Sequence, residues 1–240
     1  MRPIRPLLLV LALAAAAGSA GAAVAAAPAW SVDLGRSQFA VLTRKAGAAA
    51  RLAHDHLIVA RAPRVELAFD PSAPERARLS VTIPVLSLDV DPPAERQARS
   101  PRLRELGLLD AVLPPVDEGD RGKVREAMLD EGQLDAARFP TVTAEVAGLT
   151  RRGGGEGARV ALGWDATVRL TVRGRTIEKK VPARWELVDG ELRAEAVAEA
   201  RFTEFGIEPY SAFFGAVRNA DLFHFVVEIV ARPAETATAP

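Results

Sequence analysis

The chain has 240 residues, which is enough for one sizeable domain or at most two small ones. Its 31 basic residues balance its 31 acidic residues, so no strong electrostatic field steers it towards nucleic acid, and we expect no nucleic-acid partner. The chain has no cysteine, which excludes disulfides, thiol nucleophiles and cysteine-ligated zinc.

The N-terminus has the pattern of a secretory signal peptide. Arg2 and Arg5 precede an apolar run over residues 7–17, and small residues with cleavage sites such as Ala20-Gly21-Ala22 follow. The apolar run is shorter than the roughly 20 residues that a membrane-spanning helix needs. The sequence therefore predicts a signal peptide over residues 1–25 and a periplasmic or secreted protein that does not span the membrane after cleavage.

Apolar and polar residues alternate with a period of two through most of the remaining chain. This alternation is typical of strands with one dry face and one wet face. Turn signals such as Asp189-Gly190 separate the segments. The predicted strands cover residues 37–43, 64–70, 79–86, 141–146, 159–173, 176–187, 191–203 and 222–231.

Residues 94–137 break the alternation and have helical spacing instead, with a break at Pro114-Pro115. A helical insertion among strands usually packs over the open end of a barrel, so we expect this one to cover the barrel as a lid. The fold class predicted from the residues is all-β with a small helical insertion: a closed antiparallel barrel of about eight strands.

The interior of this barrel is predicted to hold a cavity. A barrel of about eight strands is either filled by its own side chains or holds one small ligand. One strand directs Ala194, Ala196, Ala198 and Ala200 inward, and these small side chains favour an elongated apolar cavity. A filled barrel that acts through its surface is the alternative. The predicted ligand-binding residues are Phe39, Val41, Phe69, Val81, Trp164, Val168, Ala196, Ala198, Phe202, Phe223 and Phe225.

Several segments resemble the YceI-like family of exported lipocalin-like barrels. They are AWSVDLGRSQFAVL (29–42), FPT (139–141), LTVRG (170–174), FGI (205–207) and ADLFHFVVEIVA (220–231). The resemblance covers residues 29–232 and implies an extended antiparallel lipocalin-like barrel in the periplasm. It also implies an apolar lumen that holds a long amphiphile, which in known members is an isoprenoid.

Within this resemblance we expect an isoprenoid or fatty acid as the bound ligand and no cofactor. The segment between Asp89 and Met128 is longer and richer in arginine than the family pattern, which predicts an altered cavity mouth. Residues 233–240 are predicted to be a disordered tail. The oligomeric state is left open, with a homodimer as one alternative.

The segment HDH contains two of the three histidines in the chain. His54, His56 and His224 could supply the three nitrogens of a catalytic-type zinc site. Phe223 and Phe225 are expected on the inner face of their strand, so His224 should point outward. A metal site would then require His54 and His56 to point outward as well. We favour structural histidines, and a metal-binding protein or metallohydrolase is the alternative function.

The insertion also carries arginines, of which Arg99 and Arg102 are candidates to hold an anionic head group at the cavity mouth through bidentate contacts. A solvated charged face is the other interpretation. The chain contains no nucleophile elbow, P-loop or dinucleotide fingerprint, so we do not predict an enzyme. The sequence predicts an exported protein that holds a hydrophobic or amphiphilic small molecule in its barrel.

Overall fold

A computed structural model of the chain describes residues 27–152 and 163–234. Within these residues it contains twelve strands, two α-helices and several short 3-10 turns. The helices are α1 (Pro93–Glu105) and α2 (Glu118–Leu129). The strands are β1 (Ala29–Val32), β2 (Gln38–Ala46), β3 (His56–Ala60), β4 (Arg64–Ala68), β5 (Arg78–Pro84), β6 (Leu88–Val90), β7 (Thr141–Arg151), β8 (Trp164–Val172), β9 (Arg175–Val188), β10 (Glu191–Arg201), β11 (Ser211–Ala212) and β12 (Val217–Pro233).

The strands close into an antiparallel barrel. From β7 to β10 each strand pairs with the next, and β10 pairs with β12. The pairs β1/β2, β3/β4 and β5/β6 each act as one interrupted strand, because β1 and β4 pair at one end while β2 and β3 pair at the other. Strand β12 pairs with both β1 and β2, which closes a ring of eight strand positions and confirms the predicted fold class.

The predicted strands agree with the observed ones except where a strand is short or covered on both faces. In β3, Leu57, Ile58 and Val59 are all buried, so this strand has no polar alternation and was missed. The three- and four-residue strands β6 and β1 are too short to show a period. Three predicted segments lie wholly or partly outside the described residues. They are the signal peptide, the first residues of the strand 159–173 and residues 235–240 of the tail.

Four aromatic residues fill one end of the barrel, and we call them the aromatic floor: Trp30, Phe69, Trp164 and Trp185. The Phe69 and Trp185 rings meet edge to face, with centroids 4.9 Å apart. The Trp30 indole donates a hydrogen bond of 2.8 Å to the Phe69 carbonyl, and the rings of Trp164 and Trp185 lie 6.3 Å apart. These contacts close the end of the barrel at which β1 begins and β12 ends.

The helical insertion does not act as a single lid, which corrects that prediction. Helix α1 and the residues after it pack against the outer wall, where Leu103, Leu106 and Leu109 bury themselves against Leu42 and Leu57. The outward positions of β2 and β3 are apolar, so covering them removes apolar surface from water. Only α2 lies at the open end. No helix in residues 27–152 or 163–234 has the length and apolar character needed to cross a membrane.

Candidate ligand cavity

A cavity of about 540 Å³ lies inside the barrel, between the aromatic floor and the open end. Its wall is made largely of inward-facing side chains from β2, β3, β5, β6, β7 through β10 and β12. Ala196, Ala198 and Ala200 line it, and their small side chains leave the space that larger residues would fill. This volume is within the usual range of small-molecule sites, roughly 300–1,000 Å³.

Most of the predicted ligand-binding residues lie on this wall. They are Phe39, Val41, Val81, Val168, Ala196, Ala198, Phe202, Phe223 and Phe225. The exceptions are Phe69 and Trp164, which belong to the aromatic floor below the cavity. Strand parity placed these two residues inside the barrel correctly, but their position along the barrel axis depends on the register of the strands. Contact between any of these residues and a ligand remains a prediction.

Helix α2 provides part of the cavity mouth. Asp117 caps its first turn by accepting a hydrogen bond of 2.9 Å from the Asp120 amide. Val124 and Met128 lie one turn apart and turn their apolar side chains toward the cavity. The helical spacing of residues 94–137 predicted a helix here, but it did not show that this face of the helix would line the lumen.

Lys179 also faces the cavity, although no sequence motif indicated this. Lys179 lies between the inward residues Ile177 and Val181 of β9, and its ammonium group is 2.8 Å from the Glu204 carboxylate and 3.0 Å from the Glu199 carbonyl. Burial alone would raise the pKa of Glu204, but hydrogen bonds from Lys179 and from the Arg201 amide lower it overall. The mouth therefore contains a paired charge beside the apolar wall.

The HDH segment contributes two polar side chains to the cavity. His54 and His56 both line it, because His56 shares the inward face of β3 with Ile58. The Nδ1 atom of His56 lies 2.6 Å from the fully buried carboxylate of Asp91. The structure shows no hydrogen-bond partner for the other ring nitrogen of His56 among the residues it describes.

Asp91 connects the cavity wall to α1. Besides His56, it accepts a hydrogen bond of 2.8 Å from the Leu57 amide and another from Arg96, which is only 2% exposed. Burial alone would raise the pKa of Asp91, but the hydrogen bond and charge of His56, the Leu57 amide and the Arg96 charge lower it overall. Arg96 also donates to the Asp55 and Pro114 carbonyls, so this network holds His56 in place.

His224 does not join the other two histidines. It lies on the outward face of β12, where its Nε2 atom is 3.4 Å from a carboxylate oxygen of Glu199. His54 and His56 lie on the cavity side, so the three histidines of the alternative metal site are not brought together. Among the described residues, no group of three or more His, Cys, Asp or Glu side chains is arranged to hold a metal ion.

The two candidate head-group arginines are also placed differently from the prediction. Arg99 pairs with Glu228 and Arg102 pairs with Glu195, and both glutamates project outward from the barrel wall. The arginines therefore hold α1 on the outer wall and do not lie at the mouth. The outward carboxylates on β10 and β12 attract them there, a relationship that no local spacing within the insertion shows.

Comparison with known proteins agrees with this architecture. The family model described as "YceI-like domain" matches residues 30–231. BcnA from Burkholderia cenocepacia is similar in structure, with a TM-score of 0.57 and 15% identity over 83% of this chain and 99% of that one. A YCEI protein from Campylobacter jejuni has a TM-score of 0.50 and 13% identity over 74% of this chain and 85% of that one.

A polyisoprenoid-binding domain from Saccharophagus degradans has a TM-score of 0.47 and 9% identity, over 86% of this chain and 99% of that one. The BcnA and Campylobacter jejuni structures show that this chain shares their fold, and at such identities they show nothing about its function. No curated protein matches the chain.

Proposed function

We propose that the chain, which belongs to the family of YceI-like domains, binds a hydrophobic or amphiphilic small molecule inside its barrel. The observation that carries the proposal is the cavity of about 540 Å³, which is closed at one end by aromatic rings and lined along its length by apolar side chains. Burying an apolar ligand there removes roughly 25 cal/mol of unfavourable hydration per Å² of apolar surface.

The shape of the cavity supports a chain-like ligand. The aromatic floor leaves one end open, so an apolar tail would enter first and a polar end would remain at the mouth. The polar side chains that line the cavity and could meet that polar end include His54, His56, Lys123 and Lys179. We propose an isoprenoid-like or fatty-acid-like molecule, with cavity length and these mouth residues deciding which molecules fit.

We also propose that the protein is exported and acts without catalysis. The apolar run at residues 7–17 behind Arg2 and Arg5 supports export to the periplasm or beyond. A lumen dominated by aliphatic and aromatic side chains supports holding a ligand rather than transforming it. The protein would then carry or sense an amphiphile in an aqueous compartment.

Native mass spectrometry of protein purified from its own host tests this proposal. We expect the mature chain to retain a lipid-sized adduct, which organic extraction removes and which returns when the extracted lipid is added back. Metal analysis of the same sample addresses the alternative. Stoichiometric metal together with no retained or rebinding lipid would overturn the proposal in favour of a metal-binding protein.

A further inference from the structure

Three large apolar side chains protrude into solvent at the open end of the barrel. Phe214 is fully exposed, Phe213 is 78% exposed and Leu52 is 73% exposed. We call these three residues the mouth tip. Apolar side chains of this size usually lie against other residues, so a group of them in water at the entrance of a cavity indicates an interaction surface.

The loop that carries the two phenylalanines has an unusual backbone. Phe213 has a φ of 51° and Phe214 a φ of 55°, which places both in the left-handed region that bulky residues rarely occupy. Strain of this kind persists when the surrounding structure imposes it, and it is commonest at functional sites. The backbone thus holds the two rings away from the barrel instead of folding them onto it.

The two loops of the mouth tip are tied to each other and to the barrel. The Ala49 amide donates a hydrogen bond of 2.8 Å to the Ala216 carbonyl, and the Asn219 amide donates one of 2.9 Å to the Tyr210 carbonyl. Gly47, with a φ of 97°, faces the Ala216 carbonyl so closely that any side chain would collide with it. Leu52 and the two phenylalanines are therefore presented together.

The mouth tip is continuous with the ligand cavity. Phe213 lines the cavity while most of its surface faces solvent, and Tyr210 also lines the cavity and is 44% exposed. An apolar chain that leaves the cavity would meet these rings first. Contact between the tip and a membrane would let such a chain pass between bilayer and cavity with little exposure to water.

The charges around the mouth tip favour an anionic lipid surface. The two segments that carry the mouth tip, residues 44–56 and 208–219 with their strand ends, contain four basic residues and two acidic ones. The basic residues are Arg44, Lys45, Arg51 and Arg218, and the acidic residues are Asp55 and Glu208. Asp55 is paired with Arg44, so the remaining charges of these two segments are three basic residues and one acidic residue. Basic residues beside inserted aromatic rings are the usual composition of a membrane-surface contact.

We propose that the mouth tip inserts into the surface of a bilayer that contains anionic lipid, so that the cavity opens onto the membrane. This inference rests on the proposed function, because a docked mouth matters only if the cavity exchanges an apolar ligand. Phe213, Phe214 and Leu52 supply the apolar contact, and the neighbouring basic residues supply the attraction to anionic head groups.

Cosedimentation with vesicles of phosphatidylcholine, with and without phosphatidylglycerol, tests the proposal. The mature chain should bind the mixed vesicles more strongly than the neutral ones, and Leu52→Ser/Phe214→Ser should weaken binding by at least about tenfold. The matched control is Val112→Ser/Leu187→Ser, which changes two exposed apolar residues away from the mouth and should bind as the parent does.

A second measurement separates this proposal from the proposed function. A fluorescent fatty acid supplied from detergent should load the parent and both variants equally, because neither Leu52 nor Phe214 lines the cavity, whereas transfer from vesicles should slow only in the Leu52→Ser/Phe214→Ser variant. Failure of all three proteins to load from detergent would count against the proposed function. Equal vesicle binding by parent and variant would overturn the docking proposal, as would a phenylalanine-dependent dimer that does not bind vesicles.

Discussion

Arg102 on α1 donates to both carboxylate oxygens of Glu195 on β10, through one guanidinium nitrogen that lies 2.7 Å from each. Glu195 projects from the outer wall of the barrel and also accepts a hydrogen bond from Arg184. Arg102, which we expected at the cavity mouth, therefore lies on the outer side of the barrel wall. Helix α1 is held on the barrel by these ion pairs as well as by its leucines.

Replacing Arg99 and Arg102 together by Gln should loosen α1 without altering ligand discrimination. We expect a loss of about 1–2 kcal/mol in the free energy of unfolding, because the glutamates lose charge-assisted partners at a partly buried surface. The affinities for a fatty acid and for the alcohol of the same chain length should keep their ratio. A selective loss of the fatty acid would return these arginines to the ligand site.

Replacing Ala196 or Ala198 by Phe should block the cavity while the barrel still folds. Each new ring would enter open space, so the destabilisation should be smaller than the ~1–3 kcal/mol of overpacking a filled core. We expect binding of an isoprenoid alcohol or fatty-acid probe to weaken by at least about tenfold. Ala147→Phe on the exposed face of β7 is the control, and parent-like binding by both inner variants would place the ligand elsewhere.

Asp91→Asn should be strongly destabilising. It removes the carboxylate that compensates Arg96 in the interior, and breaking a buried pair in this way typically costs about 3–5 kcal/mol. Asp89→Asn is the matched control, because its salt bridges to Arg61 and Arg121 are partly exposed and should contribute no more than ~1 kcal/mol. Denaturant unfolding of the two variants measures the difference, and equal losses would show that the buried network is not specially stabilising.

Amide hydrogen exchange should distinguish the two helices of the insertion. Helix α2 lines the cavity mouth, so its amides should exchange more slowly when a fatty acid or isoprenoid is bound. Helix α1 lies on the outer wall and should exchange at the same rate with and without the ligand. Equal protection of both helices on binding would indicate that the whole insertion moves as one lid.

Glu191 should make the stability of the barrel depend on pH in the acid range. The hydrogen bond from Arg36, at 2.6 Å, and those from its neighbours lower the pKa of Glu191 from its usual 4.5 to about 2. Its contribution is therefore complete above pH 4.5 and is lost as the pH falls towards 2.

The test is the difference in unfolding free energy between the parent and Glu191→Gln, which should be largest above pH 4.5 and shrink below it. Arg36→Gln should reproduce the same trend, since it removes the other partner. A difference that stays constant down to pH 2 would contradict the assignment.

The alternation of apolar and polar residues was sufficient to predict the barrel, because a strand with one face in water and one in the core repeats every two residues. It placed Phe39, Val168 and Ala198 on the inner face correctly. It missed β3, because α1 and the residues after it cover the outer face of that strand. The outward residues of β3 are therefore apolar, and the strand shows no alternation.

Distances along and around the barrel were decided only by the tertiary structure. Parity shows that Trp164 and Val168 face inward, but strand register places one in the aromatic floor and the other on the cavity wall. In the same way, HDH alone did not indicate that His56 would meet Asp91, which lies 35 residues further along the chain. Local spacing specifies which face a side chain takes, whereas its partners depend on segments that only the closed barrel brings together.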